Sequence, residues 1–245
     1  MSNLKKIKKQ VRSVIDTRFV DKKVAHVPKL SDDHLTFGNK GLRFAATTLF
    51  IDLRGSTALL NSGNKSTAAK IHTAYYHAIT NVAKLDGGEI RSFNGDSLLV
   101  FYPGTGKRNI SKAVRSAMRM KYDLSDEKGV FHKIAMYKEI DFGIGLDHGE
   151  ILATKVGTRG RPETQDIFWV GNAVNRSTRL GDKAKLPYAI SISKTVYNGL
   201  LSDLKTTDDD YFGFKMKKDV WRKSGFQYDG NYEDFYQTNQ SLIIE

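Results

Sequence analysis

Three short stretches carry side chains that, gathered in one place, would handle a polyphosphate. In Thr48-Leu-Phe-Ile-Asp-Leu-Arg-Gly-Ser-Thr57 a β-branched and aromatic run stops at Asp52 and turns through Gly55, with the hydroxyls of Ser56 and Thr57 beside the turn. Such a turn points backbone N–H groups outward, so a carboxylate at a strand end stands next to an anion nest. Asn94-Gly95 between two apolar runs signals a hairpin, with Asp96 where its second strand starts. Two carboxylates side by side in one sheet would hold two Mg²⁺ ions, a pair able to activate an attacking hydroxyl and neutralise a leaving polyphosphate. Asn175 and Arg179, one helical turn apart, present an amide and a guanidinium from one face, and the guanidinium can fork onto phosphate oxygens. Taken singly, each stretch has an ordinary structural explanation. A strand-end Asp caps a turn, Asn-Gly-Asp is a turn, and Asn and Arg decorate a polar helix face.

The elements that must position these residues follow from periodicity. Leu4, Ile7, Val11 and Val14 mark a basic amphipathic helix over Asn3 to about Val20, whose default role is to pack on the core, although a membrane surface or a second copy would also accept it. Residues 21–40 read as a linker, with Pro28, Ser31, Asp32, Asp33 and Gly38. That divides the chain into a basic helix and linker over 1–41 and a catalytic domain over 42–245. After the Asp52 strand, Ala68, Ile71, Tyr75, Ile79 and Val82 stripe a helix over Lys65–Leu85, closed by Gly87-Gly88. A second helix spans about Asn109–Tyr122 and a third roughly Leu124–Met136. Ile140–Lys155 alternates as a strand pair turning at His148-Gly149, and Ile167–Leu180 runs from a short strand through a Gly turn into the helix of Asn175 and Arg179. Tyr188–Ser193 is a strand, Lys194–Leu201 a helix, and Tyr211–Gln237 an aromatic, strand-like tail. The order β-α-ββ-α-β and onward predicts an α+β, ferredoxin-like architecture, an antiparallel-rich sheet with helices packed on it.

Composition bounds the function. The 245 residues, 40 % of them apolar, can bury one sizeable core. No apolar run is long enough for a transmembrane helix and no secretory leader pattern is present. The absence of cysteine excludes disulfides, thiolate zinc sites and cysteine nucleophiles, and is compatible with a reducing cytosol. The net charge of +12 is concentrated at the start, where residues 1–45 hold 11 Lys/Arg against 4 Asp/Glu. A solvated basic segment, a polyanionic substrate or an anionic surface would each account for it.

Together with Gly143-Ile-Gly-Leu-Asp-His-Gly149, the stretches Phe50–Thr57, Asn94-Gly-Asp-Ser-Leu-Leu99 and Val170-Gly-Asn-Ala-Val-Asn-Arg-Ser-Thr-Arg-Leu180 resemble, in order and spacing, the class III nucleotidyl cyclases over roughly Ala45–Leu201. The resemblance implies a homodimer with two sites at its interface. Asp52, Asp96 and the strand residue Ile51 would hold two Mg²⁺ or Mn²⁺ per site. Leu53, Arg54, Gly55, Ser56 and Thr57 would line the substrate, and Lys223 would be the C-terminal triphosphate contact. Asn175 and Arg179 of the other subunit would orient the ribose and stabilise the transition state. The reaction implied is attack of the ribose 3′-oxygen on the α-phosphorus, giving a 3′,5′-cyclic nucleotide and pyrophosphate.

Two positions depart from the purine-specific members. Ser92 stands four residues before the second metal Asp, where they carry Lys or Glu, and Phe168 stands where they carry Asp, Cys or Thr. The preceding loop, Gly157–Asp166, is long enough that Asp166 could take over the second role. Strand alternation puts Phe50 on the face of Asp52, where it would narrow the base pocket. In these features the chain is similar to the pyrimidine cyclases of bacterial anti-phage Pycsar systems. That implies UTP as substrate, CTP next, and a separate effector that reads the product in the cytoplasm. A purine cyclase and a binding-only pseudo-cyclase are the alternatives, whereas no nucleic-acid motif or aromatic interleaving marks a nucleic-acid binder.

Overall fold

The computed structural model describes residues 2–56, 65–125, 141–211 and 214–244. Two long strands, β2 (Lys40–Arg54) and β5 (Asp141–Val156), form its centre, paired antiparallel from Gly41 opposite Thr154 to Arg54 opposite Asp141. Around them runs a nine-stranded sheet. Beside β2 lie β4 (Ser97–Pro103) and then β3 (Glu89–Asn94). Beside β5 lie β7 (Ile190–Ser193), β11 (Asn231–Thr238) and β10 (Arg222–Tyr228). The short strands β1 (Val20–Lys23) and β6 (Asp166–Val170) pair with the far ends of β2 and β5. Only β1–β2 and β5–β7 are parallel pairs in this sheet. A separate ribbon joins β8 (Thr206–Tyr211) to β9 (Phe214–Asp219).

Side-chain alternation gives the sheet two different faces. Leu49, Ile51 and Leu53 of β2, Leu98 and Val100 of β4, and Phe142, Ile144 and Leu146 of β5 pack against α2 (Lys65–Leu85) and α3 (Lys107–Ser125). The opposite face of β5 carries Gly143, Gly145 and Gly149, and α4 (Asn172–Lys183) lies there. Toward the far ends of the central strands, that face fills with Phe44, Phe101, Ile151, Ala153 and Ala173. The expected α+β architecture, sheet with helices packed on it, is the one observed. No helix among the described residues is long and apolar enough to cross a membrane.

Four expectations need correction. The strand pair turning at His148-Gly149 is one uninterrupted strand, because β2 is long enough to pair with it throughout, and Gly149 sits in the ladder opposite Ala46. The helix α1 (Asn3–Asp16) buries none of its residues, so it does not pack on the core. Residues 21–40 are no simple linker: β1 joins the sheet, and Val27 and Leu35, 3 % and 1 % exposed, enter the core beside Leu42 and Phe44. The helix after β7, α5 (Lys194–Asn198), is shorter than expected and stops at Gly199. Most of the expected helix over Leu124–Met136 lies outside the described residues.

Candidate active site

Asp52 is the third-last residue of β2, half-buried on the α4 side of the sheet. Across the strands it stands in a row with Gly143 of β5, Ser97 of β4 and Asn94 of β3. Because Asn94 pairs with Ser97, the two-residue turn is Gly95-Asp96, one residue later than the dipeptide signal suggested. Gly95 supplies the positive φ of 65° that such a turn demands, and Asp96 rides in the turn itself. Three residues brace it. The Tyr76 hydroxyl donates to the carbonyls of Gly95 at 2.8 Å and Ser97 at 3.2 Å, the Leu53 N–H donates to the Asp96 carbonyl at 3.4 Å, and the Ser56 hydroxyl donates to the Asp96 carboxylate.

Held this way, Asp96 crowds Asp52, and burial together with the Asp96 charge pushes the Asp52 carboxyl up to about 6. Two crowded carboxylates ask for a cation, and their hard oxygens suit a divalent one. Among the described residues no cluster of three or more His, Asp or Glu could hold a metal alone. Ile51 and Leu53, 0 % and 1 % exposed, point into the core behind the sheet, so only their main chains can serve the site. Gly55, with φ 81°, makes the exposed turn, and Thr57 lies outside the described residues. Arg54 is already engaged: Nη1 donates to Asp141 at 3.2 Å and Nη2 to the Gly181 carbonyl at 2.6 Å. It is a strut from the end of β2 to α4 rather than an open phosphate ligand.

The helix α4 divides its residues between two jobs. Ala173, Ser177, Leu180 and Gly181 are buried against the sheet. Asn175, Arg179 and Asp182 project from another side, one helical turn apart, into a cavity of about 800 Å³ walled by Phe226–Asp229 of the β10 hairpin. Neither Asn175 nor Arg179 has a side-chain hydrogen bond or ion pair among the described residues. Ser56 and Asp96 instead line a different cavity of about 390 Å³ against α2. Within one chain, therefore, Asp96 and the Asn–Arg pair line different cavities, with Asp52 on the α4 side of the sheet between them.

The residues expected around the base divide in the same way. Phe50 lies in the row Gly145–Phe50–Leu99–Ser92, next to the row of Asp52, and Ser92 is half-buried on the edge strand β3. A Cβ added to Gly181 would come within 2.8 Å of the Phe50 ring, so the ring is seated under α4. Phe168 is 58 % exposed and pairs opposite Thr154, eleven residues along β5 from Gly143 and so roughly 35 Å from the Asp52 row. Asp166 accepts from the Ile167 N–H and caps its own strand, away from the Asp52 row. Lys223 does not reach the cavity of Arg179. It pairs with Asp234 at 2.9 Å, which raises its pKa, and it alternates to the face opposite Phe226 and Tyr228. Lys183 lines that cavity instead.

Reading the residues for chemistry missed those that set the geometry. A Cβ on Gly145 would meet the Ser177 carbonyl at 2.0 Å and one on Gly143 the Gly181 carbonyl at 2.2 Å, so only glycines let α4 lie this close. Beside Asn175, Arg176 is held by Asp147 at 2.9 Å and Glu233 at 2.9 Å, with its guanidinium 4.6 Å from the Tyr228 ring centre. Asp147 is 1 % exposed, and burial outweighs Arg176 in raising its pKa. The signal was the Gly-x-Gly alternation within a strand, which marks a close backbone approach.

Comparison with known proteins bears on the family and the fold. The family profile of the adenylate and guanylate cyclase catalytic domain matches residues 43–224. A protein named uridylate cyclase from Xanthomonas perforans is 29 % identical over 197 residues, 78 % of each chain. Another uridylate cyclase, from Burkholderia cepacia, is 27 % identical over 81 % of this chain and 85 % of its own. Among solved structures, the adenylyl cyclase CyaB from P. aeruginosa superposes with a TM-score of 0.66 at 21 % identity, over 82 % of this chain and 97 % of that one, a likeness of fold. With the profile spanning most of the chain, this protein belongs to the adenylate and guanylate cyclase catalytic-domain family.

Proposed function

We propose that the chain is a pyrimidine nucleotidyl cyclase that converts UTP to 3′,5′-cyclic UMP and pyrophosphate, working as a homodimer with two composite sites. The observation that carries the reading is the crowding of Asp52 against the braced Asp96 at the open end of the sheet. Two divalent cations, Mg²⁺ or Mn²⁺, held by these carboxylates beside the Ile51 main chain, would polarise the 3′-hydroxyl and screen the triphosphate. The turn at Gly55 would offer backbone N–H donors to the phosphates. Asn175 of a second copy would hold the ribose so that its 3′-oxygen lines up with the α-phosphorus. The new P–O bond then forms as the bond to pyrophosphate breaks, the hydroxyl proton passing to solvent. Arg179 of that copy would place its guanidinium on the α-phosphoryl oxygens as charge builds there. The composite site is supported by Asp96 and the Asn–Arg pair lining different cavities, and by Asn175 and Arg179 having no side-chain partner among the described residues.

UTP is favoured by the uridylate cyclases among the relatives and by Ser92, a short hydroxyl where purine-specific members carry Lys or Glu, with the aromatic Phe50 in the same cross-strand row. An aromatic there rejects the larger base by clash. The product would act as a second messenger for a separate effector, as the resemblance to anti-phage systems implies. The test is to incubate the purified chain separately with UTP, CTP, ATP and GTP plus Mg²⁺ or Mn²⁺ and identify products by mass. Conversion is expected in the order UTP, CTP, then the purines, with Phe50→Ala relaxing the exclusion of ATP. An ATP rate equal to or above that of UTP overturns the base assignment.

A further inference from the structure

The helix α1 carries an apolar stripe that nothing among the described residues covers. Leu4, Ile7, Val11, Val14 and Ile15 are 52 % to 74 % exposed, and the helix has no buried residue. At 100° per residue these five side chains fall within an arc of roughly 100°, a width that suits one flat apolar contact. Lys5, Lys6, Lys8, Lys9 and Arg12 occupy the remaining surface, and the one acid, Asp16, is the last residue of the helix. The C-terminal end of the helix is tied down: the Asn39 amide donates to the carbonyls of Val14 at 2.5 Å and Thr17 at 2.6 Å, just ahead of β1. Phe19 and Val20, 40 % and 59 % exposed, extend the apolar surface past that anchor.

Charge decides the occupant. A second α1 laid on the stripe would bring lysine rows of equal sign together, which disfavours a self-pair. A nucleic acid would answer the lysines but has no use for the stripe. A bilayer with anionic headgroups answers both, since it takes the apolar side chains below the headgroups while the lysines extend outward to the charge. We propose that α1 is an interfacial helix that seats the catalytic domain on an anionic lipid surface.

The experiment is co-sedimentation of the full chain with phosphatidylcholine vesicles, with and without about one-third phosphatidylglycerol. Binding to the anionic vesicles should exceed that to neutral ones by roughly tenfold or more and weaken with salt. Ile7→Asp/Val11→Asp should fall to the neutral-vesicle level with an unchanged melting temperature, and removal of residues 1–16 serves as a second variant should the first fail to fold. Four results overturn the proposal: no retention on anionic vesicles, equal retention on both lipids, a double variant that still binds, or preferential capture by a DNA duplex in competition. A change of oligomeric state in the double variant would assign the stripe to a second copy instead and overturn it too.

Discussion

The two halves of the site are built in opposite ways. Around Asp52 and Asp96 the chain invests in bracing: Tyr76 and Ser56 grip the turn, Arg54 locks the strand end to α4, and the two carboxylates are pressed together against their repulsion. Asn175 and Arg179 stand exposed on a helix whose own position is fixed, by Gly143 and Gly145 beneath and by Arg176 at the side, while their side chains hold no partner among the described residues. One half stores unfavourable charge that a cation and a polyphosphate would relieve. The other exposes a guanidinium with no side-chain partner among the described residues. Like charges crowd within a chain, and the charge that complements them is offered outward, which is the arrangement expected if each half is completed by another molecule's opposite half.

Breaking either half should have the largest effect. Asp52→Asn and Arg179→Ala should each lower turnover by on the order of 10³-fold, one by removing a charge that holds cations and the other by removing a donor to the transition state. Mixed in equal amounts with subunit exchange verified, the two inactive variants should recover up to about a quarter of wild-type activity, because half the dimers are then mixed and each mixed dimer has one intact site. No recovery would place both halves of a site in one chain. Activity of Asp52→Asn within about tenfold of wild type would remove the carboxylate from the metal site.

A different substitution attacks the scaffold that separates the halves. Gly145→Ala puts a methyl 2.0 Å from the Ser177 carbonyl and 2.2 Å from the Gly181 amide nitrogen, both backbone atoms that cannot swing aside. The helix must lift or the strand must bend, at about 1–3 kcal/mol. The melting temperature should therefore fall by roughly 2–10 °C. Turnover should fall with it, since Arg179 moves with α4. Gly95→Ala, with open space around it but a φ of 65°, should strain the Asp96 turn without disturbing α4. An unchanged melting temperature for Gly145→Ala would mean that α4 is not held by this contact.

What was legible in the sequence follows from the same contrast. Asp52, Asp96, Asn175 and Arg179 stand out because chemistry restricts residue type, and the helices α2 and α4 because apolar spacing is local. Pairing is not local. Whether Gly149 turns a hairpin or continues a strand depends on the length of β2, a hundred residues earlier in the chain, so His148-Gly149 misled. The register of the β3–β4 turn shifted by one because Asn94 satisfies a ladder position that an Asn-Gly turn signal cannot reveal. The family resemblance points to Lys223 as a triphosphate contact, but alternation on β10 and the carboxylate of Asp234 decide where that charge goes. The amphipathic pattern of α1 is real, but its partner is not among the described residues, so core packing was the wrong expectation.

The smallest expected effect sharpens the comparison most, because it separates stability from activity. The Asp52 carboxyl sits at about 6 in the folded chain against an ordinary 3.8, raised by burial and then by Asp96. A raised folded-state value means that the fold binds the proton more tightly than the unfolded chain does. The stability this contributes is complete below the ordinary carboxylate range and is lost as pH rises through about 6. A shift of this size would be worth about 3 kcal/mol if fully buried; with Asp52 half exposed to solvent screening, about 1 kcal/mol is the reasonable figure. Without divalent cation at pH 7.5, Asp52→Asn should thus melt roughly 2–4 °C above wild type, and the gap should close by about pH 4. Addition of Mg²⁺ with a non-hydrolysable nucleotide should reverse the order, since only the wild type gains by binding. Asn175→Ala, on the half without crowded charge, should show no such pH-dependent gain. If Asp52→Asn is instead the less stable protein in the absence of cation, the carboxylate is there to hold the strand end together, and the contrast between a strained half and a relaxed one fails.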